Sequence, residues 1–181
     1  MVNRIVEIRS AKLMGGIGAI LEIVGGFIPY LDRVLPFAGL ILVLIALKKL
    51  SDATNTASIF KDFLVSAIFM AIGNVLLLLA GAANLAALFQ KGLNLFHLGA
   101  LFIALILAWV VTIIGAYFLK LSFNSLAGET GVDLFETAGN IIFIGALLAI
   151  IFVGVLVVLV GRIVEIIAFF ALPDTLEITE T

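Results

Sequence analysis

The sequence predicts an all-α, polytopic transmembrane helical bundle with six spans arranged as three helical hairpins, and three observations carry that prediction. Apolar residues make up 64% of the chain and charged residues 12%, against about 25% charged in soluble domains. The apolar runs outlast any amphipathic stripe, so they cannot be faces of helices around one soluble core. They are also continuous, where a membrane barrel would alternate every second residue over segments of about ten. An alternative of five spans with a surface C-terminal helix follows if the last apolar region crosses only once.

Residues 1–12 mix Val2, Ile5, Val6 and Ile8 with Arg4, Glu7, Arg9 and Lys12. Such a mixture suits a short cytoplasmic or interfacial helix with basic residues reaching phosphates, or equally a frayed tail. The single transmembrane domain is then residues 13–172. Its first hairpin has spans at 13–31 and 34–50, joined by a turn at Pro29-Tyr30-Leu31-Asp32-Arg33. A helix needs about 20 apolar residues to cross about 30 Å of hydrocarbon, so the second span is short and Lys48 and Lys49 are expected to snorkel at its inner end. Residues 51–61 read as a polar loop, with Asp52, Asn55 and Ser58 as turn and cap residues. Spans at 63–83 and 98–119 follow, joined by a connection over 84–97; Trp109 lies deep in the fourth span. Residues 122–137 are the longest polar segment, and Asp133-x-x-Glu136 resembles a capping box. The tail, 173–181, is acidic and expected to be disordered.

Residues 139–172 fall between the lengths needed for one span and for two. As a hairpin, with spans at 139–153 and 156–172, the segment must turn near Gly154 inside the bilayer, buried against protein so that its open backbone groups are satisfied. An internal repeat favours the hairpin. Ile17-Gly18-Ala19-Ile20-Leu21 matches Ile144-Gly145-Ala146-Leu147-Leu148, and AGLILVLIALKKLSD from Ala38 runs beside VGRIVEIIAFFALPD from Val160. Both copies begin and end on one side, so the repeat is parallel, not inverted. Six spans put Arg4, Arg9, Lys12, Lys48, Lys49, Lys61 and Lys120 on one side against Arg33 and Lys91 opposite. By the positive-inside rule both termini face the cytoplasm, in a multi-pass protein of the cell membrane.

The opening IGAILEIVGGFIP, the hairpin end ILVLIALKKLSD, the entry Ser58-Ile59-Phe60-Lys61 and the closing IAFFALPD are together similar to the small, mostly archaeal membrane family catalogued as domain of unknown function 996. That resemblance implies a multi-pass membrane protein without an assigned activity, and it carries over no catalytic or ligand residues.

Catalytic motifs are absent: there is no phosphate loop, nucleophile elbow or paired-histidine zinc motif. Cysteine is absent and histidine occurs once, as His97 at an expected interface. No catalytic residue, metal site or cofactor is therefore expected, and no enzyme. A net charge of −2 gives no argument for nucleic acid as a partner. What stands out is a candidate intramembrane polar cluster, Glu22, Arg162 and Glu165, because ionisable groups within spans are costly and mark function by default. Glu22 lies nine residues in from Leu13, about 13 Å, and Arg162 ten residues in from Leu172, about 15 Å from the same face. The two can pair at one level, and Glu165 can take the same arginine at i,i+3. A static ion-pair cluster that fixes helix order is the competing reading. Asn74 and Asn140 are secondary polar groups suited to interhelical hydrogen bonds.

Two functional classes follow. One is a structural or accessory protein, held in the lipid bilayer and bound to itself or to another membrane protein; the scarcity of polar groups favours it narrowly. The other is a small ion or solute transporter or channel using Glu22, Arg162 and Glu165, as repeat-built transporters place charge near mid-depth.

Overall fold

The computed structural model of the chain describes residues 2–31, 34–90 and 95–180. Three helical hairpins follow one another: α1 (Arg9–Gly25) with α2 (Val34–Thr54), α3 (Ala57–Gln90) with α4 (Leu95–Thr130), and α5 (Leu134–Leu148) with α6 (Val153–Ala171). Helix α2 packs on α3, α4 on α5 and α6 back on α1, so the hairpins close into a ring. Helices α2, α3, α4, α6 and α5 with its terminal turn are long and apolar enough to cross a membrane. That count of five matches the five-span alternative, but for a different reason. The helix that falls short is α1, with 17 residues or about 26 Å, whereas the C-terminal segment does fold back as a hairpin.

Glycine explains how two short hairpins hold together. A Cβ on Gly39 would stand 2.5 Å from the Gly18 carbonyl oxygen, and one on Gly18 would stand 2.7 Å from that of Gly39. In the last hairpin, a Cβ on Gly145 would stand 3.0 Å from the Gly154 oxygen, and one on Gly161 would stand 3.0 Å from the Ile142 nitrogen. Gly18 and Gly39 are the residues that the sequence repeat aligns with Gly145 and Gly161. What recurs is thus a seam where two helix backbones touch.

Several boundaries differ from the sequence reading. Instead of the expected short helix or frayed tail, residues 2–7 form a strand ahead of α1, and in place of the expected disordered tail, residues 175–180 form another. β1 (Val2–Glu7) pairs antiparallel with β2 (Thr175–Glu180), Val2 opposite Glu180 and Glu7 opposite Thr175. In the ribbon Val6 stands opposite Leu176, both toward the core, while Ile5 opposite Glu177 is exposed, so the alternation shows only once a partner strand is present. The expected loop at 51–61 shrinks to a turn, because α2 runs on to Thr54 and Asn55 takes a left-handed φ of 55°. Helices α3 and α4 likewise absorb most of the expected connections at 84–97 and 122–137. Their polar ends pair with each other: Ser122 donates to the Ile59 carbonyl (2.6 Å), Ser58 bonds Ser125 (3.0 Å) and Thr56 donates to Glu129 (2.8 Å). The Asp133 capping box does not form; Asp133 is itself helical at φ −61° and its side chain caps nothing.

The last turn also corrects an expectation. A 3-10 turn, Ala149–Ile151, and Phe152 at φ 58° join α5 to α6. Its tip is exposed, not buried against protein; Phe152 is 85% exposed. Local bonds satisfy the backbone instead, Phe152 N–H to the Ala149 carbonyl (3.1 Å) and Val155 N–H to that of Phe152 (3.0 Å).

The packed core occupies the half of the ring next to the ribbon. Four rings cross it in sequence from α3 to α6: Phe63 to Phe123 at 6.4 Å, Phe123 to Phe135 at 5.6 Å and Phe135 to Phe169 at 5.1 Å. Phe169 in turn rests on Gly15 of α1, where any Cβ would clash with its ring. Lys12 and Asp174 pair at 3.4 Å where helix gives way to ribbon.

A charged cluster at the floor of an apolar cavity

Arg162 sits on α6 beside Gly161, whose missing side chain lets α6 lie close on α5. From there its Nη1 reaches both glutamates, Glu165 Oε2 at 2.9 Å and Glu22 Oε2 of α1 at 3.2 Å. The sequence-level depth argument placed Glu22 and Arg162 at one level, and the structure joins them. The i,i+3 partner Glu165 is also in place, fully buried, while Arg162 and Glu22 side chains are 20% and 14% exposed. Gly39 makes the position of Glu22 possible, since a Cβ there would stand 2.9 Å from the Glu22 nitrogen.

Two carboxylates share one guanidinium, so the fully ionised cluster carries a net charge of −1. Glu22 Oε1 and Glu165 Oε1 are buried and have no hydrogen-bond partner among the described residues. Buried polar atoms are usually satisfied, so two orphans on one cluster call for an explanation.

Glu22 and Arg162 line a cavity of about 620 Å³, together with Phe37, Leu40, Met70 and Leu156. Asn74 of α3 lines it too, which brings this secondary polar residue into the same space as the cluster. A second cavity of about 240 Å³ shares Arg162, Asn74, Met70 and Val158 with the first and extends toward α4 and α5. Trp109 lines neither cavity, but its indole N–H donates to the carbonyl of Ala146, which lines the inner one, at 2.9 Å. Asn140 lies half-buried on α5 and lines neither cavity. The missed contributor is Thr112, which lines the inner cavity and returns its hydroxyl proton to the Ala108 carbonyl (2.8 Å). A threonine satisfied within its own helix leaves no signal in a sequence.

A family model described as "Protein of unknown function (DUF996)" matches residues 35–163. An uncharacterized protein of Methanocaldococcus jannaschii is 35% identical over 173 residues, covering 94% of this chain and 96% of that protein. No solved structure matches the chain.

Proposed function

The chain belongs to the DUF996 family, and we propose that this member is a multi-pass protein of the cell membrane that binds and passes a small ion or solute at Glu22, Arg162 and Glu165. One observation carries the reading. Glu22 and Arg162 of the charged cluster line a cavity, and two carboxylate oxygens of the cluster have no hydrogen-bond partner among the described residues, whereas a purely structural ion pair gains from being sealed and fully hydrogen-bonded. The packed aromatic core lies on the ribbon side of it. Exchange then needs movement of the hairpins across the Gly15–Phe169 contact.

Orientation follows from charge. The ribbon ties both termini to one end of the ring, the end that also carries Arg9, Lys12, Lys48, Lys49, Lys61 and Lys120. Positive charge favours the cytoplasm, so the ribbon lies inside the cell and the cavity toward the outer half of the bilayer. Arg33 and Lys91, the basic residues assigned to the opposite side, lie outside the described residues.

Reconstitution of the purified chain in liposomes tests the reading, with an internal dye for protons and then for sodium and potassium. The expected result is a flux above that of empty liposomes which Glu22→Gln lowers at least tenfold. Equal leakage with and without the protein for all three ions overturns transport. Copurification of a fixed membrane partner would then return the accessory reading.

A further inference from the structure

We propose that the cavity is a binding site for a lipophilic amine, a protonated ammonium head carried on an apolar body, that enters sideways from the bilayer. The proposal rests on the binding half of the function given above and adds the ligand's chemical class.

The head is set by the cluster. Glu22 is the one carboxylate among the described residues lining the cavity, and the Arg162 beside it already shares its Nη1 between Glu22 and the buried Glu165, so an anion would find the arginine engaged. A cation with N–H donors instead adds the positive charge that two carboxylates on one guanidinium lack, and it meets Glu22 on the cavity wall, where a carboxylate has lone pairs beyond the one given to Arg162. Charge-assisted hydrogen bonds of this kind are about twice as strong as neutral ones.

The body is set by the walls. Beyond Glu22, Arg162 and Asn74, the lining is aliphatic, aromatic or methionine, and a volume of about 620 Å³ falls in the range of about 300–1,000 Å³ typical of small-molecule sites. Water-soluble inorganic ions need no such wall.

The route is set by the rim. Phe27, Phe37 and Leu156 line the cavity and are themselves well exposed, so its mouth is apolar. On the α3 side the wall does not stop there. Helix α3 continues sixteen residues past Asn74 to Gln90, about 24 Å, with Val75, Leu78, Leu79 and Leu85 exposed. A helix apolar on every face belongs in lipid, and the exposed tip Ile150-Ile151-Phe152-Val153 of the last hairpin, with its backbone bonds met internally, suits the same medium. The mouth between them therefore opens on hydrocarbon, which concentrates amphiphiles.

The test uses the full chain in neutral detergent and octylammonium, octanol and octanoate as probes. Trp109 is the sole tryptophan, and its indole N–H bonds the carbonyl of Ala146, which lines the inner cavity beside this one, so its fluorescence reports occupancy. Octylammonium should saturate the signal at a concentration at least tenfold below octanol, with no saturation by octanoate. Glu22→Gln should weaken octylammonium at least tenfold by removing the charge. Ala71→Phe, which fills the cavity and leaves every charge in place, should do the same and decides the matter if Glu22→Gln fails to fold. Equal response to the three probes, or octylammonium binding unchanged in the variants, overturns the proposal. Failure here is separable from failure of transport. Ion flux through Glu22 without octylammonium binding rejects only the ligand class, and binding without flux rejects only transport.

Discussion

Removing Arg162 should cost far more stability than removing either of its partners. In Arg162→Met the fully buried Glu165 loses the cation held at 2.9 Å, and Glu22 loses the one at 3.2 Å. Breaking a buried pair so that a charge is left uncompensated costs about 3–5 kcal/mol. In Glu165→Gln the arginine keeps Glu22 and the cluster becomes neutral, so the loss is one hydrogen bond to a charged group, about 1.5–3 kcal/mol. In Glu22→Gln the shorter Arg162–Glu165 bond survives and the excess negative charge disappears. Its cost should stay below that of Glu165→Gln, because the bond lost is the longer one and the Glu22 side chain is 14% exposed where Glu165 is fully buried. The expected order is Arg162→Met, then Glu165→Gln, then Glu22→Gln, read from reversible unfolding in mixed micelles with Trp109 fluorescence as the probe. A loss below 1 kcal/mol for Arg162→Met, or Glu22→Gln as the worst of the three, would refute the shared-arginine geometry. The same ranking bears on function, because a glutamate that is cheap to neutralise is the one free to exchange a cation.

Other consequences follow from packing and topology. Gly39→Val forces α1 and α2 apart where a Cβ already stands 2.5 Å from the Gly18 oxygen; the loss should exceed the 1–3 kcal/mol usual for overpacking, measured by the same unfolding assay. Phe152→Gly removes a side chain that is 85% exposed from a left-handed φ of 58°, so stability should hold or rise by up to about 1 kcal/mol, and a loss above 1 kcal/mol would mean the ring is packed against something. Leu176→Ala empties a buried position under the ribbon and should cost about 2 kcal/mol or more, with amide exchange accelerating across β1 and β2 together. In oriented vesicles, Val2→Cys and Thr181→Cys should react with an impermeant maleimide from the same side, since β1 and β2 pair; labelling from opposite sides would contradict the ribbon.

The sequence made the cluster legible for a simple reason. Helical rise is fixed, so counting residues from an interface gives depth, and two charges at equal depth on helices that begin and end together have few places to go. Glu22 and Arg162 are such a pair. Hydropathy marked the spans for the same reason, because lipid imposes length and apolarity residue by residue. Where the reading failed, the deciding partner was far away in sequence. Ser122, Ser58 and Thr56 look like loop residues until Ile59, Ser125 and Glu129 arrive to bond them, and then helix is the cheaper state. The tail looks disordered because Glu177 and Glu180 dominate its composition, yet β1 lies opposite it and supplies the ladder. No local rule anticipates a strand whose partner is some 170 residues away, for its loop-closure cost is met by helices already folded.

The distribution of packing gives the ring a direction. Aromatic contacts run from Phe63 to Phe169 across the ribbon side, and the Lys12–Asp174 pair and the strands close that end. Above the cluster, the hairpins are held mainly by close glycine contacts within each pair, Gly25 against Leu35 and Pro36 and Gly145 against Gly154, and the cavities lie between pairs. Each outer hairpin is therefore a stiff unit, while the contact between α1 and α6 is where units meet. Glu22–Arg162 is the charged bond that spans this contact, and Gly15–Phe169 is its apolar counterpart one layer below. A ligand that competes with Arg162 for Glu22 would loosen the bond that fastens the first hairpin to the last, and so couple occupancy of the cavity to the spacing of the two hairpins.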